Sequence, residues 1–166
     1  MEKKSFAKMQ CSVARALESV GEWWNILILR DAMIGLTRFD EFQTSLGIAP
    51  TTLSRRIDSL VESGLLMRRR YNERPPRDEY ILTERGKEFF PVVATLLAWG
   101  NKHCSPKGVD TMIVNCRSQM AIEPVIIDRK TGKELAYDDI LFAAGPAANK
   151  LKKKYYETLR LPLISN

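Results

Sequence analysis

The chain has 166 residues and a mass of 19.0 kDa, enough for one compact domain or a small domain with an appendix. Hydrophobic residues at 45% and charged residues at 28% exclude wholesale disorder, and a net charge of +6 favours an anionic partner without naming one. A single histidine, His103, excludes His-rich metal sites, while Cys11, Cys104 and Cys116 make no disulfide framework and suit a reducing cytosol.

No apolar stretch follows the basic N-terminus, so no secretory signal is visible. The most apolar run, 23–29, contains Asn25 and falls short of the roughly 18 residues that a membrane span needs. The expectation is a cytoplasmic protein with no membrane partner. Residues 1–103 are dense in helix-period apolar side chains, and 104–166 are more strand-like after a breaker at 104–109. These are the two expected units, and no internal repeat stands out.

Met9, Val13, Ala16, Leu17 and Val20 lie on one stripe and predict a helix over 9–20, ended by Gly21. A second helix over 23–34 is apolar almost all round, as in a helix buried among others, and Gly35 stops it. Thr37 is the expected N-cap of a short helix through Leu46, with Phe39, Phe42 and Leu46 inward. Residues 47–49 then make a tight turn. Pro50 opens the next helix, where its missing N–H costs nothing, and that helix runs to about Ser63.

The period then changes. Residues 65–71 and 78–82 read as two strands joined by 72–77, whose prolines suit a hairpin tip rather than a ladder. Thr83 caps a longer helix reaching His103, lined by Phe89, Phe90, Val93, Leu96, Leu97 and Trp99.

A short helix joined through a Gly-containing turn to a second helix is a helix-turn-helix unit, and a hairpin directly after it is a wing. The fold class expected is mainly α with a small β-hairpin: a winged helix-turn-helix plus a C-terminal hairpin-and-helix extension. In the helix from Pro50, Leu53, Ile57, Leu60 and Val61 form an inward stripe. Thr51, Thr52, Ser54, Arg55 and Arg56 crowd the other side with no acid among them. Major-groove readout needs this arrangement, since Arg takes guanine O6 and N7 together and Ser or Thr reaches bases and phosphates. Between 55 and 77 seven arginines face three acids, and no lysine is used. An arginine run alone is more often a solvated face; its position on the two elements that a winged helix presents to DNA reverses that reading.

The stretches Cys11-Ser-Val-Ala-Arg-Ala-Leu, Gly21-Glu-Trp-Trp with Leu27-Ile-Leu-Arg30, Arg38-Phe-Asp-Glu-Phe42, Ile48-Ala-Pro-Thr-Thr-Leu-Ser-Arg-Arg56, Leu60-Val-Glu-Ser-Gly-Leu65, Pro75-Pro-Arg-Asp-Glu-Tyr80 and Leu82-Thr-Glu-Arg-Gly86 resemble the HxlR family of bacterial winged helix-turn-helix regulators, over residues 11–103. The resemblance implies a MarR-like dimeric DNA-binding regulator, with a recognition helix at 50–63, a wing at 66–81 and terminal helices that pair two protomers. It departs from the family at Ala49, where the family commonly has a Ser or Thr cap, and at Ser12, where Pro is usual.

Cys11 carries two readings. In several members of that family an N-terminal cysteine responds to oxidants or electrophiles, and Arg15 one turn on would favour a thiolate; otherwise Cys11 is a small buried apolar side chain. Residues 123–135 read as strand, turn around Lys130-Thr-Gly132, and strand. Asp139-Ile140 and Ala144-Gly-Pro146 resemble the remnant of an extension that carries paired cysteines in longer relatives. Too few cysteines are present here for a thiolate zinc site, so neither metal nor cofactor is expected. A tail helix over 147–161 has Leu151, Tyr155 and Leu159 at four-residue spacing.

The functional expectation is a homodimeric, sequence-specific regulator on a pseudo-palindromic operator in double-stranded DNA, responsive to a thiol oxidant or a small molecule. Pro50, Thr51, Thr52, Ser54, Arg55 and Arg56 are the expected groove contacts, with Arg38, Arg74 and Arg77 on the backbone or minor groove. The alternative is a winged-helix protein-interaction module without specific DNA readout. With no nucleophile–base pair, the chain is not expected to be an enzyme.

Overall fold

The computed structural model describes residues 5–161. Four helices come first: α1 (Ser12–Val20), α2 (Trp23–Met33), α3 (Phe39–Leu46) and α4 (Pro50–Glu62). An antiparallel hairpin follows, β1 (Leu66–Glu73) with β2 (Pro76–Leu82), then α5 (Glu84–Lys87) and α6 (Phe90–His103). A 3-10 turn at Tyr137–Asp139 and a last helix, α7 (Lys150–Thr158), complete the described chain.

The core is built around α2 and α4. Ile28 and Leu29 meet Phe42 of α3, Leu53, Ile57 and Leu60 of α4, and Leu66 at the start of the hairpin, all essentially inaccessible to solvent. Burying each such side chain contributes on the order of 1.5–3 kcal/mol. The expected inward stripe of α4 is therefore present, with Val61 at its half-buried edge. Asp31 is buried within this layer, and the guanidinium of Arg30 donates to its Oδ1 through Nε (2.9 Å) and Nη2 (2.7 Å).

Several expectations are revised. α1 begins at Ser12 rather than Met9, with Cys11 as its extended N-cap, and Arg15 donates to the Met9 carbonyl across the preceding bend. Most of its apolar stripe does not face the core, which receives only Val20 from it. Only Ala14 and Val20 are buried, whereas Val13 is 65% exposed and Met9 and Leu17 are each 45% exposed. Thr37 is not the cap of α3. Its carbonyl accepts the Tyr80 N–H (2.7 Å), so it runs extended beside β2, and the cap position passes to Arg38. Glu41 does the capping, its Oε2 accepting the N–H groups of Thr37 (2.8 Å) and Arg38 (2.9 Å).

The turn between α3 and α4 begins on Gly47 at φ 60, a left-handed position that suits glycine. Ala49 stands at the N-cap of α4 with Pro50 after it, and no side chain caps that end. The strands run longer than expected. Glu73 pairs with Pro76, so the tip is only Arg74 and Pro75, and Pro76 is tolerated as the first residue of its strand. The register slips between Arg70 and Asn72, leaving Tyr71 as a bulge.

Thr83 does act as a cap, accepting the Gly86 N–H and donating to the Gly64 carbonyl. The single long helix expected after it is divided into α5 and α6. Pro91 lacks the N–H that would bond to Lys87, so the helix breaks between them.

Beyond α6 the strands expected at 123–135 shrink to one bridge, Ile127 with Glu134. A matching bridge joins Val114 and Ala121, and the two loops repeat at a spacing of 13 residues. Asn115 and Asp128 each donate a backbone N–H five residues on, to Met120 and Lys133, and accept one from Gln119 and Gly132. Each side-chain oxygen also accepts an N–H two residues on, from Arg117 and Lys130. This is a structural repeat that the residue identities conceal. The tail helix is shorter than expected, and part of the range 147–161 outside α7 is turn.

Glu41 holds its carboxyl below the ordinary value of 4.5, chiefly through the Thr37 N–H and then that of Arg38. A lowered folded-state pKa gives stability that is complete above the ordinary value and disappears as the pH falls through the folded one. Glu41→Gln is therefore expected to lower the melting temperature at pH 7, with the gap from wild type closing in acid, as thermal unfolding at several pH values would record.

Candidate nucleic-acid interface

The first two turns of α4 place Pro50, Thr51, Ser54 and Arg55 in solvent, opposite Leu53 and Ile57. Their outward direction follows from helical period once the apolar stripe is buried. The Arg55 side chain makes no hydrogen bond or ion pair with another described residue, so its donors are available to a ligand. Thr52 is half-buried at the margin of this face.

Arg56 behaves differently from its neighbour. Its Nη2 lies 3.4 Å from Glu22 Oε2 just before α2, its side chain is 26% exposed, and its Nε is buried without a hydrogen-bond partner in the described structure. The sequence placed Arg55 and Arg56 in one set. The structure separates them, because 100° of helical rotation turns Arg56 toward the α2 end of the body. Glu22 is 34 positions away in the chain, and no local pattern announces the pairing.

The hairpin sorts its arginines in the same manner. Arg69 pairs with Glu79 (2.6 Å) and Arg70 with Asp78 (2.8 Å), across the ladder. Arg68 reaches Asp58 of α4 (2.6 Å), with its guanidinium 5.6 Å from the Tyr80 ring centroid. Asp58 also faces the Ser54 hydroxyl, so this group ties the base of the wing to α4. Arg74 and Arg77, at and beside the tip, are exposed and make no side-chain ion pair with a described residue. Arg38 is exposed, and its guanidinium carbon stands 4.9 Å from the centroid of Tyr71, the bulged residue of β1. Tyr71 is a contributor that sequence reading missed; only the register slip brings it under Arg38.

Cys11 is half-buried at the head of α1. Its thiol lies below the ordinary value, chiefly because the Ala14 N–H faces the sulfur, opposed by partial desolvation and aided by the Val13 N–H, Lys152 and Arg15. Lys152 comes from α7, which docks here: the Asn149 N–H donates to Gln10 Oε1 (3.2 Å), and Lys152 donates to the Gln10 carbonyl. Among the described residues no group of three or more His, Cys, Asp or Glu gathers as a metal site, and no helix is long and apolar enough to cross a membrane.

A profile of the HxlR-like helix-turn-helix family matches residues 19–108. The chain belongs to that family. It is 38% identical over 136 residues to an HTH-type transcriptional regulator of Mycobacterium tuberculosis, across 81% of this chain and 86% of the relative. PA1607, a candidate transcription factor of known structure, superposes with a TM-score of 0.76 at 34% identity, covering 84% of this chain and 98% of that one. The redox regulator HypR in its reduced form superposes with a TM-score of 0.54 at 28% identity, over 57% of this chain and 94% of its own. This HxlR-like chain is a helix-turn-helix transcriptional regulator with a winged-helix fold, and its match to PA1607 extends beyond the winged helix into the C-terminal extension.

The different settings of Arg55 and Arg56 can be measured. A double-mutant cycle on Arg56→Ala and Glu22→Ala is expected to give a coupling of about 0.5–1 kcal/mol in urea unfolding, while Arg55→Ala leaves stability within about 0.5 kcal/mol of wild type. Zero coupling would mean that Arg56 is as available to a ligand as Arg55.

Proposed function

We propose that this regulator binds a pseudo-palindromic operator as a homodimer, each protomer laying the N-terminal half of α4 in a major groove. The observation that carries the reading is the hydroxyl-and-guanidinium face of Pro50, Thr51, Ser54 and Arg55 projecting from a helix whose other side is locked in the core. Arg55 is assigned to a base edge, Thr51 and Ser54 to bases or adjacent phosphates, and Thr52 to the margin of the groove. Arg56 acts from its Glu22 tether as a phosphate contact at the edge of the site. Arg38, Arg74 and Arg77 grip the backbone or minor groove on either side.

Dimerisation is supported by apolar surface on the terminal helices. On α1, Val13 and Leu17 are exposed; on α6, Phe90, Leu96 and Trp99; on α7, Leu151 and Tyr155. Large apolar side chains of this number, distributed along the ends of the chain, mark an association surface. Two-fold symmetry would then set half-sites about 10 bp apart or a multiple of that. The protein acts in the cytoplasm and performs no catalysis.

Cys11 is the regulatory thiol in this reading. Its lowered pKa places more of it as thiolate at neutral pH, and α7 lies against it, so oxidation or alkylation there would disturb the docking of a terminal helix. The resemblance to HypR over the winged-helix region supports this assignment. A small-molecule effector remains compatible with the same arrangement.

Operator selection from genomic fragments, followed by binding titrations, tests the reading. Arg55→Ala should cost about 1–3 kcal/mol on the selected site and relax preference at one base pair, whereas Arg74→Ala should weaken all sequences alike and lower the salt slope by about 1. Equal affinity of the wild type for operator and random DNA would remove the sequence-specific part and favour a protein-interaction module. For the thiol, the pH midpoint of iodoacetamide labelling at Cys11 should fall below the ordinary 9.0; a midpoint at or above it would exclude the sensing role.

A further inference from the structure

A folded 19.0 kDa monomer should expose about 8400 Å² of surface. This chain exposes 13208 Å². The excess, roughly 4800 Å², is more than one protomer's share of even a large obligate interface, whose total over both partners is about 2000–5000 Å². The terminal helices supply one part of that surface. The stretch 112–142 supplies another.

No residue between Ala94 and Ala144 is buried. Both feet of the stretch are nevertheless planted on the body. At one end Asn101 of α6 donates to the Thr111 carbonyl (2.9 Å); at the other Ala144 is fully buried, and α7 bonds to Gln10. Between the feet the two loops, 13 residues apart, hold their shape through their own hydrogen bonds, with Gln119 and Gly132 at equivalent left-handed positions. The arm is therefore ordered by its turns rather than by a core. Val114 and Ile127 occupy equivalent positions of the repeat, and Ile122, Ile126, Leu141 and Phe142 add to the apolar surface of the arm, each of the six between 42% and 74% exposed.

We propose that residues 112–142 form an arm that packs against apolar side chains exposed on α1 and α6 of a second copy of this chain. The inference rests on the homodimer reading above and adds to it a contact that the terminal helices alone do not contain. Charge argues against nucleic acid as the occupant: the arm carries four basic and five acidic side chains, so a phosphate backbone gains nothing there. Continuity argues for a second copy. The far foot lands beside Gln10 at the head of α1, next to the exposed Val13 and Leu17 that the dimer would cover. Apolar side chains exposed on the arm, meeting aliphatic and aromatic side chains exposed on α1 and α6, match the apolar core of an obligate interface.

The test uses the full chain. Unlabelled and heavy-isotope chains are mixed, exchanged and treated with a lysine-reactive cross-linker, and links from Lys130 or Lys133 of the arm to Lys8, Lys87 or Lys102 of the body are sorted by isotope. Arm-to-body links that join the two isotopes are expected; links confined to one isotope in a protein that sediments as a dimer would overturn the arm contact and leave the dimer standing. A wild type that sediments as a monomer at micromolar concentration would overturn both. A second variant, Ile126→Asp with Ile127→Asp, is expected to weaken the dimer at least about tenfold with unchanged helical content, and an unchanged dissociation constant would also refute the arm.

Discussion

The burial of Leu53, Ile57 and Leu60 against Ile28, Leu29 and Phe42 is the constraint on which the molecule depends. It fixes the rotation of α4 about its axis, and with it the direction of every polar side chain on the opposite face. The end of α4 has no side-chain cap, since Ala49 offers none, and its aim comes from packing rather than from its terminus. The same core receives Leu66, so the wing starts from the layer that orients the helix.

Electrostatics then divides a set of arginines that composition treats as one. Asp58, Glu79 and Asp78 engage Arg68, Arg69 and Arg70, and Glu22 engages Arg56. Exposed pairs of this kind add little stability. Their larger effect is on where positive charge remains available, at Arg55 on the helix and at Arg74 and Arg77 by the tip. Arg38 joins this group, exposed and with its guanidinium over the Tyr71 ring as a platform.

The apolar surface follows a different rule. A 14-residue helix such as α6 would bury a full stripe in a self-sufficient monomer, yet only Ala94 is buried. α1 repeats this with Val13 and Leu17 outward. Amphipathic helices whose apolar side meets water within one chain leave a surface that a second chain can cover, whereas the centre of the chain is organised around its own core.

The sequence by itself determined the order of elements through residue 103, the tight turn before Pro50, the inward stripe of α4 and the grouping of hydroxyl and guanidinium side chains opposite it. These are local properties: periods of 3.6 and 2, and glycine or proline where the backbone demands them, need no knowledge of distant residues. Tertiary structure alone decided that Met9, Val13 and Leu17 face outward and that Glu41 rather than Thr37 caps α3, whereas the division of the long helix at Pro91 is a local effect of its missing N–H. Tertiary structure also decided that Arg56 is held by Glu22 while Arg55 is not, and that Tyr71 lies under Arg38. A periodic stripe states which residues share a face, but which faces meet, and which charges find each other across 34 residues of chain, depends on packing that no window along the sequence contains.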